Sequence, residues 1–314
     1  MYDLLIIGGG PAGISAAIYA ARKKLKTLLV TKSFGGQMME AYQIDNYLGL
    51  PGLLGVELNQ KFLEHLKRFE KKSSGGAYDL EIKEGETVKK IGLNDGGQFE
   101  IKTDKNVYQA KSIIIATGKT ERKLNIPGAK EFEGKGISYC PTCDAPLFRD
   151  KIVAVIGAGD AGQDTAWQLT NYARKVYLLN KYPTMRGDNM DLCEKLEQNP
   201  KVTILSEVVP KEIIGEKFVN GLIYEDKRTK EQKKIEVNGI FVQIGSTPDS
   251  FFVNNFLKCN EIGEIIIDHN TCAASFPGIF AAGDVTDSLE KQIIIAAGEG
   301  AKAALSAYKF LRDK

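Results

Sequence analysis

The 314-residue chain is predicted to be an α/β protein with two Rossmann-like domains, one inserted in the other. Two observations predict this class. A buried-strand pattern at 3–7, a glycine loop at 8–13 and an alanine-rich helix follow one another, and the same order returns from 152. The pattern of a small β-meander follows each of these units. Each domain is therefore expected to have three layers, ββα, with a parallel sheet between a meander and helices.

The glycines of the first loop have separate purposes in a dinucleotide site. Gly8 permits the tight turn, Gly10 lets a pyrophosphate approach the backbone, and Gly13 lets helix and strand pack closely. The helix N-terminus then faces the phosphates. The second loop repeats them at a constant offset, at Gly157, Gly159 and Gly162. Two such loops in a strand-to-helix context indicate two dinucleotides, at least one of them a flavin cofactor, whereas a duplication without ligands is the alternative.

Apolar periodicity places the remaining elements. The predicted pieces are a helix at 56–69, meander strands at 86–93, 98–103 and 107–115, a second meander at 208–214, 218–225 and 235–244, strands at 264–268 and 278–284, and a helix at 293–311. Small residues after the last strand of each meander mark the crossings between domains. The predicted domains are 1–117 with 246–314, and an inserted domain at 118–245.

Composition excludes several classes of protein. With 43% apolar and 26% charged residues the chain is typical of a soluble globular protein, and a net charge of +2 gives no argument for nucleic acid or an acidic membrane surface. Neither a signal peptide nor an apolar run of membrane-spanning length is expected. Five cysteines fit a redox pair plus free thiols in a reducing compartment. A cytoplasmic protein without nucleic-acid or membrane partners is predicted.

The stretch 140–144 carries the candidate chemistry. Cys140 and Cys143 are spaced to close a small disulfide ring that thiol exchange opens and re-forms, which makes the pair a two-electron store. Asp144 is placed to give or take the accompanying proton. Half of a zinc site is the alternative, but a pair supplies two of four ligands. No second paired spacing exists among Cys193, Cys259, Cys272, His65 and His269. No metal is predicted.

With these pieces placed, the chain resembles the low-molecular-weight thioredoxin reductases over its whole length. The motifs stand in the family's order: the loop at 8–13, Gly36-Gln37, Ala116-Thr117-Gly118, Cys140 to Asp144, the second loop, and Ala282-Gly283-Asp284. The stretches 139–144, 241–245, 291–295 and 298–302 look especially like the flavoprotein subunit of alkyl hydroperoxide reductase. That subunit carries an N-terminal thioredoxin-like region that this chain does not show, so electrons are expected to leave to a separate protein.

The resemblance implies a site for FAD in the first domain and for a nicotinamide nucleotide in the second. The implied FAD residues are Gly8, Gly10, Pro11, Ala12, Gly13, Gly36, Gln37, Asn46, Thr117, Gly118, Gly283, Asp284, Lys291, Gln292 and Ile293. The implied NAD(P) residues are Gly157, Gly159, Asp160, Ala161, Gly162, Asn180, Lys181 and Arg186.

The resemblance also assigns roles around the disulfide. Cys143 becomes the flavin-facing sulfur, Cys140 the sulfur that attacks a partner disulfide, and Asp144 the acid. The implied function is a thioredoxin reductase-like flavoprotein disulfide reductase. Its implied partner is a thioredoxin-, glutaredoxin- or peroxiredoxin-like protein, and a homodimer through 38–69 is expected.

The electron donor stays open. NADPH-dependent relatives carry a His-Arg-Arg run after the second strand of the inserted unit, because a 2′-phosphate needs charge-assisted donors. Here Asn180-Lys181-Tyr182 stands there, with Arg186 beyond. NADH users place an acid at this point, and Asn180 is not ionised. NADH, NADPH and a non-nicotinamide donor such as ferredoxin are all retained, with NADH preferred.

Two other functions are retained beside the reductase. One is a flavin oxidase or dithiol oxidase that makes peroxide, and the other is a non-enzymatic FAD module whose disulfide state gates binding to another protein. Ferredoxin-NADP reductases of the same architecture lack the cysteine pair, so Cys140 and Cys143 argue against that function.

Overall fold

The computed structural model describes residues 1–41, 44–71, 78–185, 190–253 and 256–313. The chain divides into two compact units. Unit 1 comprises Met1–Glu40, Tyr47–Thr120 and Thr247–Lys314, and unit 2 comprises Ala41–Asn46 and Glu121–Ser246. Unit 2 is thus an insertion in the chain of unit 1, together with a short segment from before the first meander.

Strands and helices are numbered in chain order. The strands are β1 (Tyr2–Gly9), β2 (Thr27–Phe34), β3 (Leu80–Glu84), β4 (Val88–Leu93), β5 (Phe99–Thr103), β6 (Val107–Ile115), β7 (Lys119–Glu121), β8 (Ile137–Ser138), β9 (Ile152–Ile156), β10 (Lys175–Leu179), β11 (Val202–Leu205), β12 (Val208–Gly215), β13 (Val219–Asp226), β14 (Gln232–Glu236), β15 (Gly239–Val242), β16 (Ser246–Pro248), β17 (Ile267–Asp268), β18 (Ala273–Ala274) and β19 (Ile279–Ala281). The α-helices are α1 (Pro11–Arg22), α2 (Gly55–Lys67), α3 (Pro141–Asp144), α4 (Asp160–Leu169), α5 (Met190–Gln198) and α6 (Ile293–Arg312).

Unit 1 is built on a sheet in the order β17-β18-β19-β6-β1-β2-β3. Strands β19, β6, β1, β2 and β3 run parallel, and β5 adds the antiparallel meander to β6. The central run Leu4 to Ile7 is at most 3% exposed, as expected for a parallel strand covered on both faces. Helices α1 and α6 pack so closely that a Cβ at Gly300 would lie 2.0 Å from the Ala12 carbonyl oxygen.

Unit 2 has the three predicted layers. Its five-stranded parallel sheet has the order β11-β10-β9-β15-β8, and β12-β13-β14 form a separate antiparallel sheet. Successive β9 residues face opposite sides: Val153 and Val155 pack with α4, whereas Ala154 and Ile156 pack with the meander. This alternation places the sheet between the helices and the meander.

The predicted strand at 235–244 is wrong, because the chain forms two strands there. β14 pairs antiparallel with β13, whereas β15 lies parallel between β9 and β8. The break comes at Gly239, where a Cβ would stand 2.1 Å from the Phe148 ring. The residue pattern also changes at this point, from a charged and mostly exposed strand to four buried residues.

Other differences concern ends and short elements. The predicted strand 264–268 keeps only β17. β3, α5 and β11 were not predicted. In the part of the chain that the structure describes, no helix is long and apolar enough to cross a membrane.

Candidate functional site

Cys140 and Cys143 form a disulfide at the start of α3, with their Cα atoms 5.3 Å apart. Both residues are half-buried. The backbone N–H of Cys143 donates a hydrogen bond to Cys140 Sγ at 3.2 Å, and the N–H of Cys140 donates to Ser138 Oγ at 3.1 Å. A donor aimed at Cys140 Sγ favours the thiolate of that sulfur after reduction. The other cysteines, Cys193, Cys259 and Cys272, are free thiols.

Asp144 lies next to the disulfide and is electrostatically unusual. Its Oδ1 atom is buried and has no hydrogen-bond partner. Burial raises the pKa of the Asp144 carboxyl above its usual value, and a hydrogen bond with the Ser138 side chain opposes that rise. A carboxyl group that keeps its proton at higher pH suits proton donation to a leaving thiolate.

The first glycine loop is shaped to receive a phosphate group. Gly8 has φ +116°, and a Cβ there would lie 2.2 Å from the Ala116 carbonyl oxygen. A Cβ at Gly13 would lie 1.9 Å from the Gly8 carbonyl oxygen, whereas nothing comes within 4 Å of a Cβ at Gly10. α1 begins at this loop with no side-chain cap. The open face at Gly10 beside an uncapped helix N-terminus fits the pyrophosphate of FAD.

The second loop repeats this geometry in unit 2. A Cβ at Gly157 would lie 2.1 Å from the Gln243 carbonyl oxygen, and one at Gly162 would lie 1.9 Å from the Gly157 carbonyl oxygen. Gly159 is the N-cap of α4, without a side-chain cap. Asp160 adds an exposed acidic side chain to the first turn of α4. Its charge stabilises the helix terminus but opposes an incoming pyrophosphate.

The segment between β19 and α6 carries four of the predicted FAD residues, Gly283, Asp284, Lys291 and Gln292. Asp284 follows β19 in a turn that begins at the buried Gly283. The Lys291 ammonium lies 3.0 Å from Glu264 Oε1, 3.4 Å from the Asp284 carbonyl oxygen and 2.5 Å from the Thr286 carbonyl oxygen. Three acceptors match its three N–H donors, so Lys291 holds the turn that contains Asp284. Gln292 is the N-cap of α6, which has no side-chain cap.

A family model described as pyridine nucleotide-disulphide oxidoreductase matches residues 2–300. The chain belongs to this family.

Solved structures give the same result for the fold. Thioredoxin reductase from Streptococcus pyogenes MGAS5005 superposes with a TM-score of 0.91 at 35% identity, over 100% of this chain and 99% of that one. Thioredoxin reductase from Giardia duodenalis gives 0.90 at 30% identity, over 99% of each chain. The predicted fold class and the resemblance to thioredoxin reductases are confirmed. This member of the pyridine nucleotide-disulphide oxidoreductase family has a disulfide between Cys140 and Cys143.

Curated relatives are similar across the chain but are longer. A protein from Bacillus subtilis (strain 168) named NADH dehydrogenase is 40% identical over 310 residues, which are 99% of this chain and 58% of that protein. A subunit of alkyl hydroperoxide reductase from Staphylococcus aureus (strain NCTC 8325) is also 40% identical over 310 residues, 99% of this chain and 59% of that protein. The chain spans less than two thirds of the length of either relative.

Two further predicted FAD residues of this family member make internal hydrogen bonds within unit 1. Gln37 Nε2 donates to the Lys119 carbonyl oxygen at 2.5 Å, and Thr117 Oγ1 donates to the Asp249 carbonyl oxygen at 2.7 Å. The first bond joins the segment after β2 to the first residue of β7, and the second joins the segment after β6 to the segment after β16. Asn46 belongs to the short segment that groups with unit 2.

The predicted ribose end of the nucleotide site lies after β10. Asn180 is 2% exposed; its Oδ1 accepts a hydrogen bond from the Tyr182 N–H at 3.1 Å, and its Nδ2 is buried without a partner. The Asn180 amide oxygen is therefore already occupied, and its amino group is a buried donor. Lys181 is exposed beside it. Arg186 lies outside the described residues.

Sequence reasoning missed two polar residues of these sites. Ser138 contacts the disulfide stretch, and Glu299 accepts a hydrogen bond from the Gly283 N–H at 2.7 Å. No local signal identified Glu299, because its hydrogen bond joins it to Gly283, 16 residues earlier in the chain. Across the described residues, no group of three or more His, Cys, Asp or Glu side chains is arranged to hold a metal ion.

Proposed function

We propose that the protein is a disulfide reductase that passes two electrons from a nicotinamide nucleotide, through FAD on unit 1, to the Cys140–Cys143 disulfide and on to a separate protein disulfide. The observation that carries this proposal is the disulfide itself, closed beside a buried carboxyl of raised pKa in a chain with two dinucleotide loops. The names of the relatives point to a partner of the thioredoxin or peroxiredoxin kind. We also propose that the protein works in a reducing cytoplasm and that it forms a homodimer.

The proposed FAD site is the open loop face at Gly10 with the uncapped start of α1. Gly8 and Gly13 shape the turn, Asp284 approaches from the turn after β19, and Lys291 fixes that turn. Gln37, Thr117 and the start of α6 belong to the same unit. Bound there, FAD supplies the two-electron relay between the nicotinamide donor and the disulfide.

The protein side of the reaction balances at the two sulfurs. Two electrons and two protons convert the disulfide into two thiols. Cys140, as the thiolate favoured by the Cys143 N–H, attacks a partner disulfide, forms a mixed disulfide and releases the partner's other sulfur as a thiolate. Cys143 then attacks Cys140, which closes the intramolecular disulfide and releases the reduced partner. Asp144 donates the proton that the leaving thiolate takes up.

The proposed donor is NADH, with weak rejection of NADPH. NADH users reject NADPH by placing an acid where Asn180 stands, and the Asn180 amide instead offers an N–H donor that suits either nucleotide. The name of the Bacillus subtilis relative also points to NADH.

Replacement of Asn180 by Asp tests this donor assignment. The Asp carboxylate keeps the acceptor for the Tyr182 N–H and adds a charge that repels a 2′-phosphate. The NADH-to-NADPH ratio of kcat/KM should rise about tenfold, which corresponds to about 1.4 kcal/mol. Anaerobic flavin reduction by each nucleotide measures the ratio, with the exposed Asn171→Asp as control. A ratio unchanged by N180D, or reduction by ferredoxin alone, overturns the assignment.

Cys143→Ser tests the reductase function. It leaves Cys140 able to attack but unable to be released, so reduction of protein disulfides should fall to background and the partner should stay attached to Cys140. The charge-transfer absorbance of a thiolate beside oxidised flavin should also be lost. The exposed Cys259→Ser is the matched control and should turn over normally. Normal turnover of C143S contradicts the proposal, and peroxide output that survives loss of both cysteines would indicate an oxidase.

A further inference from the structure

The turn that follows β19 is packed against the first glycine loop of unit 1. Gly283 is buried with φ +77°, and a Cβ there would lie 3.1 Å from the Ala12 Cβ and 3.4 Å from the Ala296 Cβ. The turn thus sits between the first residues of α1 and the first turn of α6. Any movement of Gly283 moves Asp284, the residue proposed to meet FAD.

Glu299 on α6 accepts hydrogen bonds from this turn with both carboxylate oxygens. Its Oε2 accepts a hydrogen bond from the Gly283 N–H at 2.7 Å, and its Oε1 accepts one from the buried Ser288 hydroxyl at 2.5 Å. The Thr286 hydroxyl, between them, donates to the Gly283 carbonyl oxygen at 2.8 Å. Both ends of the turn are therefore fixed to one side chain.

Lys291 holds the same turn from another side. Its ammonium contacts the Asp284 and Thr286 carbonyl oxygens and pairs with Glu264, and the side chains of this ion pair are 17% and 15% exposed. Lys291 engages carbonyl groups, whereas Glu299 engages an N–H and a hydroxyl. The two charged residues together satisfy donors and acceptors of the turn, which a β-bridge between Ile265 and Thr286 also holds.

We propose that Glu299 is a positioning residue for the flavin site: its carboxylate fixes the Gly283 N–H and thereby the place of Asp284. The inference rests on the proposed function, since it assigns Glu299 a purpose in holding FAD through another residue. The proposed effect depends on an acceptor atom at the position of Glu299 Oε2, and not on the negative charge of the carboxylate. A Gln at 299 can accept from Gly283 and donate to the Ser288 oxygen, whose hydroxyl rotates to accept.

The experiment compares two replacements of similar size, Glu299→Gln and Glu299→Leu. The Kd of the apoprotein for FAD is measured by quenching of flavin fluorescence. E299Q should bind within about threefold of the wild type, and E299L about tenfold or more weakly, because Leu leaves the Gly283 N–H without an acceptor. Ser288→Ala, which keeps the Gly283 bond, should give a smaller loss than E299L. The exposed Glu290→Gln is the control and should bind like the wild type.

Each outcome separates this inference from the proposed function. If the wild-type protein binds no FAD, the proposed function is contradicted. A wild type that binds FAD while E299L binds it equally well overturns the positioning role alone, and equal weakening by E299Q and E299L overturns it too, because charge would then be the cause. Where E299L does not fold, hydrogen exchange of the Gly283 amide in E299Q decides: protection as in the wild type supports the role, and an exchange about tenfold faster contradicts it.

Discussion

At the scale of residues, buried polar atoms without a partner occur at two of the proposed functional residues. Among the described residues, three buried side-chain polar atoms lack a hydrogen-bond partner: Asn59 Oδ1, Asp144 Oδ1 and Asn180 Nδ2. Asp144 and Asn180 are residues that the sequence had already singled out. Buried polar groups are normally paired, so two unpaired ones at sites of proposed chemistry and binding fit groups reserved for a reaction or a ligand. Nothing in the structure explains the third, Asn59.

Asp144→Asn should reduce both turnover and the pH dependence of stability. Loss of the proton donor should lower reduction of a protein disulfide about 100-fold. The native pKa of Asp144 is raised above 3.8, so between that value and the native pKa the folded protein binds more protons than the unfolded one. The free energy of unfolding therefore falls as pH rises through this window. The D144N protein lacks this slope.

Urea denaturation of the oxidised protein at several pH values from 3.8 upward measures that slope, with steady-state kinetics for turnover. The exposed Asp164→Asn serves as control, since it should retain the wild-type slope and rate. A D144N enzyme of normal rate would remove Asp144 from the chemistry.

Sequence reasoning identified the residues of local motifs and missed their distant partners. Cys140, Cys143 and Asp144 follow from spacing within one stretch, and the structure shows the disulfide. The contacts of Lys291 with Glu264, and of Thr117 with Asp249, join segments far apart in the chain. No local pattern encodes such pairs, because they arise only when the sheet brings the segments together.

At the scale of elements, the two glycine loops have nearly the same backbone. The N-cap glycines of α1 and α4 have φ and ψ of −80° and −176°, and of −79° and −175°. In both loops the third glycine lies against the carbonyl of the first, at 1.9 Å from a Cβ position. The loops are therefore alike in backbone at the proposed phosphate sites, and their sequences differ at two positions, where the second loop has Ala158 and Asp160.

Gly10→Ala and Gly13→Ala should separate binding from stability. A Cβ at Gly10 meets no protein atom within 4 Å, so G10A should fold normally but obstruct the pyrophosphate and weaken FAD binding. A Cβ at Gly13 would strike backbone, so G13A should lower the free energy of unfolding by about 3 kcal/mol. Urea denaturation of the apoproteins and FAD titration check the two effects. A G10A protein that binds FAD like the wild type would show that the ligand does not approach this face.

Long elements were predictable and transitions between sheets were not. Both loop-helix units and α6 follow from periodicity and glycine spacing, because their apolar faces are continuous. β14 and β15 were merged, although an Asn-Gly turn signal, Asn238-Gly239, stands at the start of β15. The contact of Gly239 with Phe148 sets that boundary, and it is a tertiary contact.

At the scale of the molecule, each unit has its own hydrophobic core. The core of unit 1 surrounds the sheet of β1, β2 and β6, and unit 2 has one cluster on each face of its parallel sheet. The chain crosses between the units through β7 and β16, which form a two-stranded sheet. Separate cores permit separate unfolding.

FAD should therefore stabilise unit 1 without stabilising unit 2. The single tryptophan, Trp167, lies on α4 and reports on unit 2 alone. With FAD at about 100 times its Kd, the gain of about 2.7 kcal/mol should raise the melting temperature of unit 1 by about 5 to 10 °C. Far-UV circular dichroism follows both units, and Trp167 fluorescence should show an unchanged midpoint. Equal shifts in both signals would mean that the units melt as one.

The close approach of Gly300 to Ala12 has a consequence for biosynthesis. The loop at 8–13 leaves the ribosome early, whereas α6, which covers it, is translated last of the described elements. Until α6 has been translated, the nascent loop at 8–13 lacks the helix that packs against Ala12. The adjacent turn at Gly283 also lacks its hydrogen bond to the Glu299 side chain. Cofactor loading is thus expected after synthesis, and truncation within α6 should yield a polypeptide that chaperones retain without flavin.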